Sequence, residues 1–216
     1  MALKILRTFA KSTRYKTSGL YGLTTRTGEY LLLYFLGLIY AFDFKLFYRR
    51  SRKQTTWGQT LRSVYTFDSI EDFWCLYNKI LSPSKLIMGT DFHLFKEGIE
   101  PKWEDKNCAN GGKWTYLFPK SRSVGDLDEY WLKLLLAMIG EQFSEPSEIC
   151  GAVISIRQKQ HRIALWTKTS SNEAHQLAVG RSFKAILGLP ESDKINYMVH
   201  DDAIRLERKA KERYSV

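Results

Sequence analysis

Two apolar runs, residues 149–157 and 161–167, are separated only by Gln158-Lys159-Gln160, and no other feature constrains the fold as strongly. A three-residue connection is too short for the crossover that parallel strands need, so the two runs must be antiparallel neighbours in a sheet. The spacing predicts further strands over Leu61–Phe67, Asp91–Lys96 and Lys113–Phe118, with Gly111-Gly112 as a turn between flanking segments. Phe44–Tyr48 has the alternating aromatic pattern of a first strand. Leu127, Trp131, Leu134, Leu135, Met138 and Ile139 recur at helical spacing, which predicts a long helix over Asp126–Phe143 with a wide apolar face. An earlier helix is expected to start at Asp68 and Ser69, with Glu71 and Asp72 at capping-box spacing, and to run to Leu81, ahead of Ser82-Pro83. A third is expected from Ser170, whose capping box closes on Glu173, to Gly188-Leu189-Pro190. Strands that pair through hairpins, with helices inserted between them, imply an α+β protein: a curved, mostly antiparallel sheet with about three helices on one face.

The chain has 216 residues, enough to bury a sizeable core in one domain. Its net charge is +10, unevenly spread: residues 1–56 hold eleven Lys or Arg against Glu29 and Asp43, which leaves only +1 for the rest. Any nucleic-acid contact in the body must therefore come from a local cluster and not from general basicity. Up to Gly28 there are six basic residues, many Ser and Thr and no acid, the composition of an organelle transit peptide. The uncharged apolar run Tyr30–Phe42 follows; at thirteen residues it falls short of the roughly 20 that span a bilayer, so no stable membrane association is expected.

Cys75, Cys108 and Cys150 are far apart in sequence and read as thiols of a reducing compartment, not as a disulfide frame or zinc site. His93, His161, His175 and His200 have no metal-ligand spacing, and His200-Asp201-Asp202 reads as a solvated loop. With no Gly-rich phosphate loop, nucleophile elbow or Ser-His-Asp arrangement, the expectation is a non-enzyme with no catalytic residues, metal or cofactor.

Trp57 lies between Thr56 and Gly58, and Trp103 lies within Glu100-Pro101-Lys102-Trp103-Glu104-Asp105. A core is the commoner fate of an indole, but both contexts are too polar to seal one. Two indole faces on loops suit a flat cationic ring, which gains about 2 kcal/mol per face when water is excluded. Glu104 could accept hydrogen bonds from an N–H edge of that ring, and the natural base with both properties is 7-methylguanine. Arg157 and Lys159, at strand period and so on one face, and Arg162 beyond the turn, could hold phosphates. The plainer alternative for these three is a solvated basic hairpin.

From Trp57 to Val216 the chain resembles the cap-binding translation initiation factor 4E family. The residues that carry the likeness are Phe67-Asp68-Ser69-Ile70-Glu71-Asp72-Phe73-Trp74, Gly98-Ile99-Glu100-Pro101-Lys102-Trp103-Glu104-Asp105, Gly111-Gly112-Lys113-Trp114, Ile139-Gly140-Glu141-Gln142-Phe143, Cys150-Gly151-Ala152-Val153, Arg157-Gln158-Lys159 and Ala164-Leu165-Trp166-Thr167. The resemblance implies a sheet with its helices on the convex face and a slot for the 7-methylguanosine cap of mRNA on the concave face. Trp57 and Trp103 would stack on the base and Glu104 would bind its N1–H and exocyclic amine. Trp166 would face the N7-methyl group, and Arg157, Lys159 and Arg162 would hold the triphosphate. It also implies a dorsal groove of Ile70, Trp74, Leu132, Leu136 and Gly140 for an amphipathic helix with Tyr and Leu anchors, carried by the initiation scaffold protein and its competing repressors.

The implied function is recruitment of capped messages to the translation initiation complex, in the cytoplasm, by a monomer within a heteromeric complex. A cap-binding repressor homologue that does not engage the scaffold is the alternative; tryptophan at both stacking positions and at Trp74 favours the initiation factor. The chain departs from the family in lacking its His-Pro-Leu stretch and Trp-rich first strand. Residues 1–42 are therefore expected to be an atypical extension outside the fold, from an alternative or mispredicted first exon, because a cap binder sent into an organelle would meet no capped message. Residues 43–216 are then the cap-binding domain. The charged tail from Asp201 to Arg213 is expected to be mobile near the cap mouth, and it has no Ser or Thr to carry the phosphorylation known in animal members.

Overall fold

Side-chain parity governs the whole sheet, and it is visible in a computed structural model that describes residues 43–50, 60–206 and 211–216. The strands are β1 Phe44–Arg50, β2 Leu61–Phe67, β3 Thr90–Lys96, β4 Gly112–Phe118, β5 Ile149–Ser155, β6 His161–Thr167, β7 Ile195–Val199 and β8 Tyr214–Ser215. They form one antiparallel sheet in the order β2-β1-β3-β5-β6-β4-β7-β8. The helices are α1 Ile70–Tyr77, α2 Val124–Ile139, α3 Glu173–Leu187 and α4 His200–Leu206. The curved α+β architecture expected from the sequence is thus present.

Leu94, Ala152, Leu165, Trp114 and Tyr197 line up across five strands by register, and each is at most 1% exposed. This row faces the helices. Gly180 of α3 lies against it so closely that a Cβ there would stand 2.6 Å from the Trp114 ring. Tyr130 of α2 packs edge-on to Tyr116 and Phe118, and Phe73 of α1 packs on Phe67. Burying each such leucine or phenylalanine contributes about 1.5–3 kcal/mol, so the convex layer is the main source of stability. β1, the strand whose sequence departs from the family, lies inside the sheet between β2 and β3 and buries Phe44, Leu46 and Phe47.

Several boundaries differ from expectation. Ser69 caps α1 by accepting from the Asp72 N–H, as expected, but the helix ends at Tyr77 instead of Leu81. Residues 78–80 continue as a looser turn, in which the Lys79 and Ile80 N–H groups both reach Leu76 O. α2 stops at Ile139, short of Phe143, because Glu141 adopts φ 50° and the Gln142 N–H returns to Ala137 O in a Schellman closure. α3 is capped by Asn172, which accepts from the His175 N–H, while Ser170 donates to Asn110 O instead.

Gly111-Gly112 is not a turn. A Cβ on Gly111 would fall 1.9 Å from Thr167 O and one on Gly112 2.5 Å from Met198 O, so these glycines let β4 enter between β6 and β7. The transit-like segment, the apolar run Tyr30–Phe42 and Trp57 lie outside the described residues. Among those described, no helix is long and apolar enough to cross a membrane.

Candidate functional site

The parity that buries one row under the helices turns the alternate residues toward the concave face. Three rows are set by register: Phe95, Gly151, Trp166, Lys113 and Met198; then His93, Val153, Ala164, Thr115 and Asn196; then Asp91, Ser155, Arg162 and Leu117. With Trp103, Arg49 and Arg157 most of them line a cleft of about 450 Å³. The first and third rows are four residues apart along each strand, or roughly 13 Å at strand rise.

The two ends differ in chemistry. The first is apolar: Phe47, Phe95, Cys108, Cys150, Val153, Ala164 and Trp166 form a buried cluster, with Trp103, Ile99 and Leu61 packed on it. Trp166 is 5% exposed and meets Phe95 edge-on at 5.4 Å. Trp103 is half-buried on the loop after β3, which the sequence correctly placed outside regular structure. That loop is a chain of turns closed by Asp105, which accepts from the Glu100 and Asn107 N–H groups at 3.1 and 2.8 Å. Glu100 pairs with Lys102, and buried Cys108 anchors the far side. Glu104, next to Trp103, is exposed.

Lys113 places its Nζ 5.5 Å from the Trp103 ring centroid, so this indole already offers its π-face to a cation. Burial first and then Arg162 push the Lys113 ammonium below its ordinary pKa.

The other end is charged. Asp91, 2% exposed, receives Arg49 Nη1 on Oδ2 at 2.8 Å and Arg157 Nη2 on Oδ1 at 2.6 Å. Arg157 also donates to Thr90 O and Ile156 O, at 3.1 and 3.0 Å. His93, between these charges and the apolar end, is pushed down to about 4, chiefly by burial, with Asp91 opposing and Arg49 and Arg157 assisting. It is neutral at pH 7. A cleft with an apolar aromatic end and a guanidinium end suits an elongated ligand with a flat head and an anionic tail.

The sequence-derived residues are brought together unevenly. Trp103, Trp166, Arg157 and Arg162 line the cleft. Lys159 is exposed in the turn and is not among the lining residues. β5 ends at Ser155, so the period-two argument joining Arg157 to Lys159 does not apply; Arg157 reaches the cleft by turning back to Asp91.

His200 is a clear correction. It starts α4 at 0% exposure, 4.3 Å from the Trp166 ring centroid and 6.5 Å from that of Trp103, and burial plus Lys113 push it down to about 3. The Ile195–Val199 strand places it there by leading straight into the helix. The described residues at the two ends of the tail are held as well, since β8 pairs with β7, Tyr214 stacks on Tyr197 and Arg213 bridges to Asp202 at 2.9 Å.

Sequence reading missed Arg49, Asp91, His93 and Lys113. Asp91 and His93 do carry a signal, two polar residues at period two alternating with Phe92 and Leu94, but nothing in the sequence says what stands opposite them. Cys108 and Cys150 are buried and Cys75 is exposed; the hydrogen bond between Cys150 and Cys108, and then burial, raise the Cys150 thiol's pKa.

On the dorsal side, Ile70, Trp74, Leu132, Leu136 and Gly140 are all half-buried, whereas Trp131, Leu134, Leu135 and Met138 of the same α2 are buried. Trp74 rests on Phe73 and Tyr77 at 5.1 and 5.8 Å. The Ser84 N–H, in the turn after α1, binds Asp128 of α2 at 2.8 Å and ties the two helices together.

The sequence pattern described as Eukaryotic initiation factor 4E matches residues 39–215. The chain is 52% identical over 167 residues to the eukaryotic translation initiation factor isoform 4E of Prunus domestica, covering 77% of this chain and 76% of that one. Among solved structures it is similar to Caenorhabditis elegans eIF4E-3 in complex with the 4E-binding protein Mextli and a cap analog, with a TM-score of 0.75, 39% identity, and 81% and 96% of the two chains covered. It is equally similar to Ascaris suum eIF4E-3 in complex with the m7G cap, with a TM-score of 0.76, 39% identity, and 82% and 97% coverage.

Proposed function

The chain belongs to the eukaryotic initiation factor 4E family, and from that premise we propose that its cleft binds the 7-methylguanosine cap of mRNA and that its dorsal face recruits the initiation scaffold. The observation that carries the cap reading is the polarity of the cleft. Trp103, half-buried, and Trp166, buried, stand at one end, and Arg157 and Arg162 stand roughly 13 Å away at the other. Trp57 and Trp103 sandwich the cationic base, Glu104 accepts from its N–H edge, and Trp166 gives the N7-methyl group an apolar wall. Arg157 and Arg162 grip the phosphate chain, with Lys159 at its outer end as a mobile point charge. The base would displace Lys113 from the Trp103 face, one cation replacing another. None of this is bond-making chemistry, and the protein acts by binding.

Dorsal recruitment is supported by the half-buried stripe of Ile70, Trp74, Leu132, Leu136 and Gly140, on helices tied together through Asp128. Such a stripe suits an amphipathic helix with apolar anchors, as carried by scaffold proteins and repressors. Residues 43–216 form the cap-binding domain, residues 1–42 are dispensable for it, and the cytoplasm is its place of action. Titration of tryptophan fluorescence tests the cap reading: 7-methyl-GTP quenches it, and GTP at the same concentration does so far less. Equal quenching by both would rule out recognition of the methylated base.

A further inference from the structure

On the cap-binding reading, we propose that Arg49 is an additional binding residue for the ligand's phosphate chain, giving the charged end of the cleft one more net positive charge than Arg157 and Arg162 supply. Arg49 faces Asp91 in the pairing of β1 with β3 and lines the cleft. The two oxygens of Asp91 are divided between two guanidiniums, Arg49 on Oδ2 at 2.8 Å and Arg157 on Oδ1 at 2.6 Å. With Arg157 alone, this carboxylate and its partner would sum to zero and present an anion with a neutral pair. Among the described residues, Arg49 makes the trio with Asp91 and Arg157 +1. Arg162, opposite Ser155 in the same row of the sheet, adds a second positive charge.

Solvent screens this arrangement poorly at its centre, since the Asp91 side chain is 3% exposed and that of Arg49 14%. His93 is neutral and does not alter the sum. Glu212 also lines the cleft but is exposed, where water weakens its field. Arg49 thus sets how strongly the site prefers a triphosphate over an uncharged nucleoside.

The test uses the full chain, with Arg49→Gln and Arg49→Lys, titrated with 7-methyl-GTP, 7-methylguanosine and GTP at low and physiological salt. Arg49→Gln is expected to weaken 7-methyl-GTP about tenfold, the size of one lost charge-assisted contact. It should also flatten the salt dependence and leave 7-methylguanosine within about twofold. Arg49→Lys, which keeps the charge, should recover most of the loss. Equal weakening of nucleotide and nucleoside would make Arg49 only a tie between β1 and β3 and overturn the proposal, as would unchanged 7-methyl-GTP binding in Arg49→Gln. If wild type binds GTP as well as 7-methyl-GTP, the methyl-base reading fails while the Arg49 comparison still reads out on GTP. A wild type that binds both triphosphates no better than the nucleoside defeats the charge assignment itself.

Discussion

Acid should weaken this protein through two histidines that line or back the cleft. His93 and His200 are buried, 4% and 0% exposed, and titrate near 4 and 3 instead of 6.5. In the fold both stay neutral down to about pH 4, whereas in the unfolded chain each takes up a proton below about 6.5. The unfolded state then binds more protons, so stability is full above pH 6.5 and falls as pH drops toward 4. At pH 5.5 each histidine costs about 1.4 kcal/mol, or about 3 kcal/mol for the pair. For a domain of this size that lowers Tm by roughly 6–12 °C relative to pH 7.5. The assay is thermal unfolding at the two pH values for wild type, His93→Gln, His200→Gln and the double variant. Each single variant should lose about half of the pH-dependent drop, and comparison within one variant cancels the offset of the substitution itself. If wild type and double variant fall in parallel between pH 7.5 and 5.5, the buried histidines are not the cause.

Trp103→Leu removes the indole face at the cleft mouth and should abolish retention on 7-methylguanosine resin; retention at wild-type strength refutes the stacking role. Trp74→Ala should lose a scaffold-derived helix in pull-down yet keep the cap, and loss of both together would mean that its contacts with Phe73 and Tyr77 hold the fold itself. Removing residues 1–42 should leave cap affinity unchanged in the same titration; a drop would make that segment part of the binding domain. Gly180→Ala drives a Cβ to 2.6 Å from the Trp114 ring and should destabilise by about 1–3 kcal/mol in denaturant unfolding, with cap binding preserved in the folded fraction.

The elements with strong periodicity were legible in the sequence. Leu61–Phe67 and His161–Thr167 match their strands end to end, and the buried face of α2 was read from spacing alone. Helix ends were read less well, because they depend on single backbone events such as the left-handed Glu141 that spacing does not encode. Trp103 was visible because a tryptophan in a polar loop stands out, whereas Trp166, inside β6, was reached only through the family resemblance. The charged half was only partly so: Arg157 and Arg162 flank a turn, but Asp91 and Arg49 acquire meaning only when three strands bring them together. His200 misled for the opposite reason. Its acidic neighbours Asp201 and Asp202 suggest solvent, yet the helix start points the imidazole inward, against Trp166.

The alternation along β3, β5, β6 and β4 has a consequence for how this site can change. Every second residue turns to the concave face and every other one to the interior under the helices, so inserting or deleting a single residue within any of these strands would exchange the two sets and present Leu94 or Leu165 where His93 or Ala164 had been. Ligand preference can therefore drift by point substitution inside the strands, whereas length variation is confined to the connecting segments, such as the turn at residues 158–160.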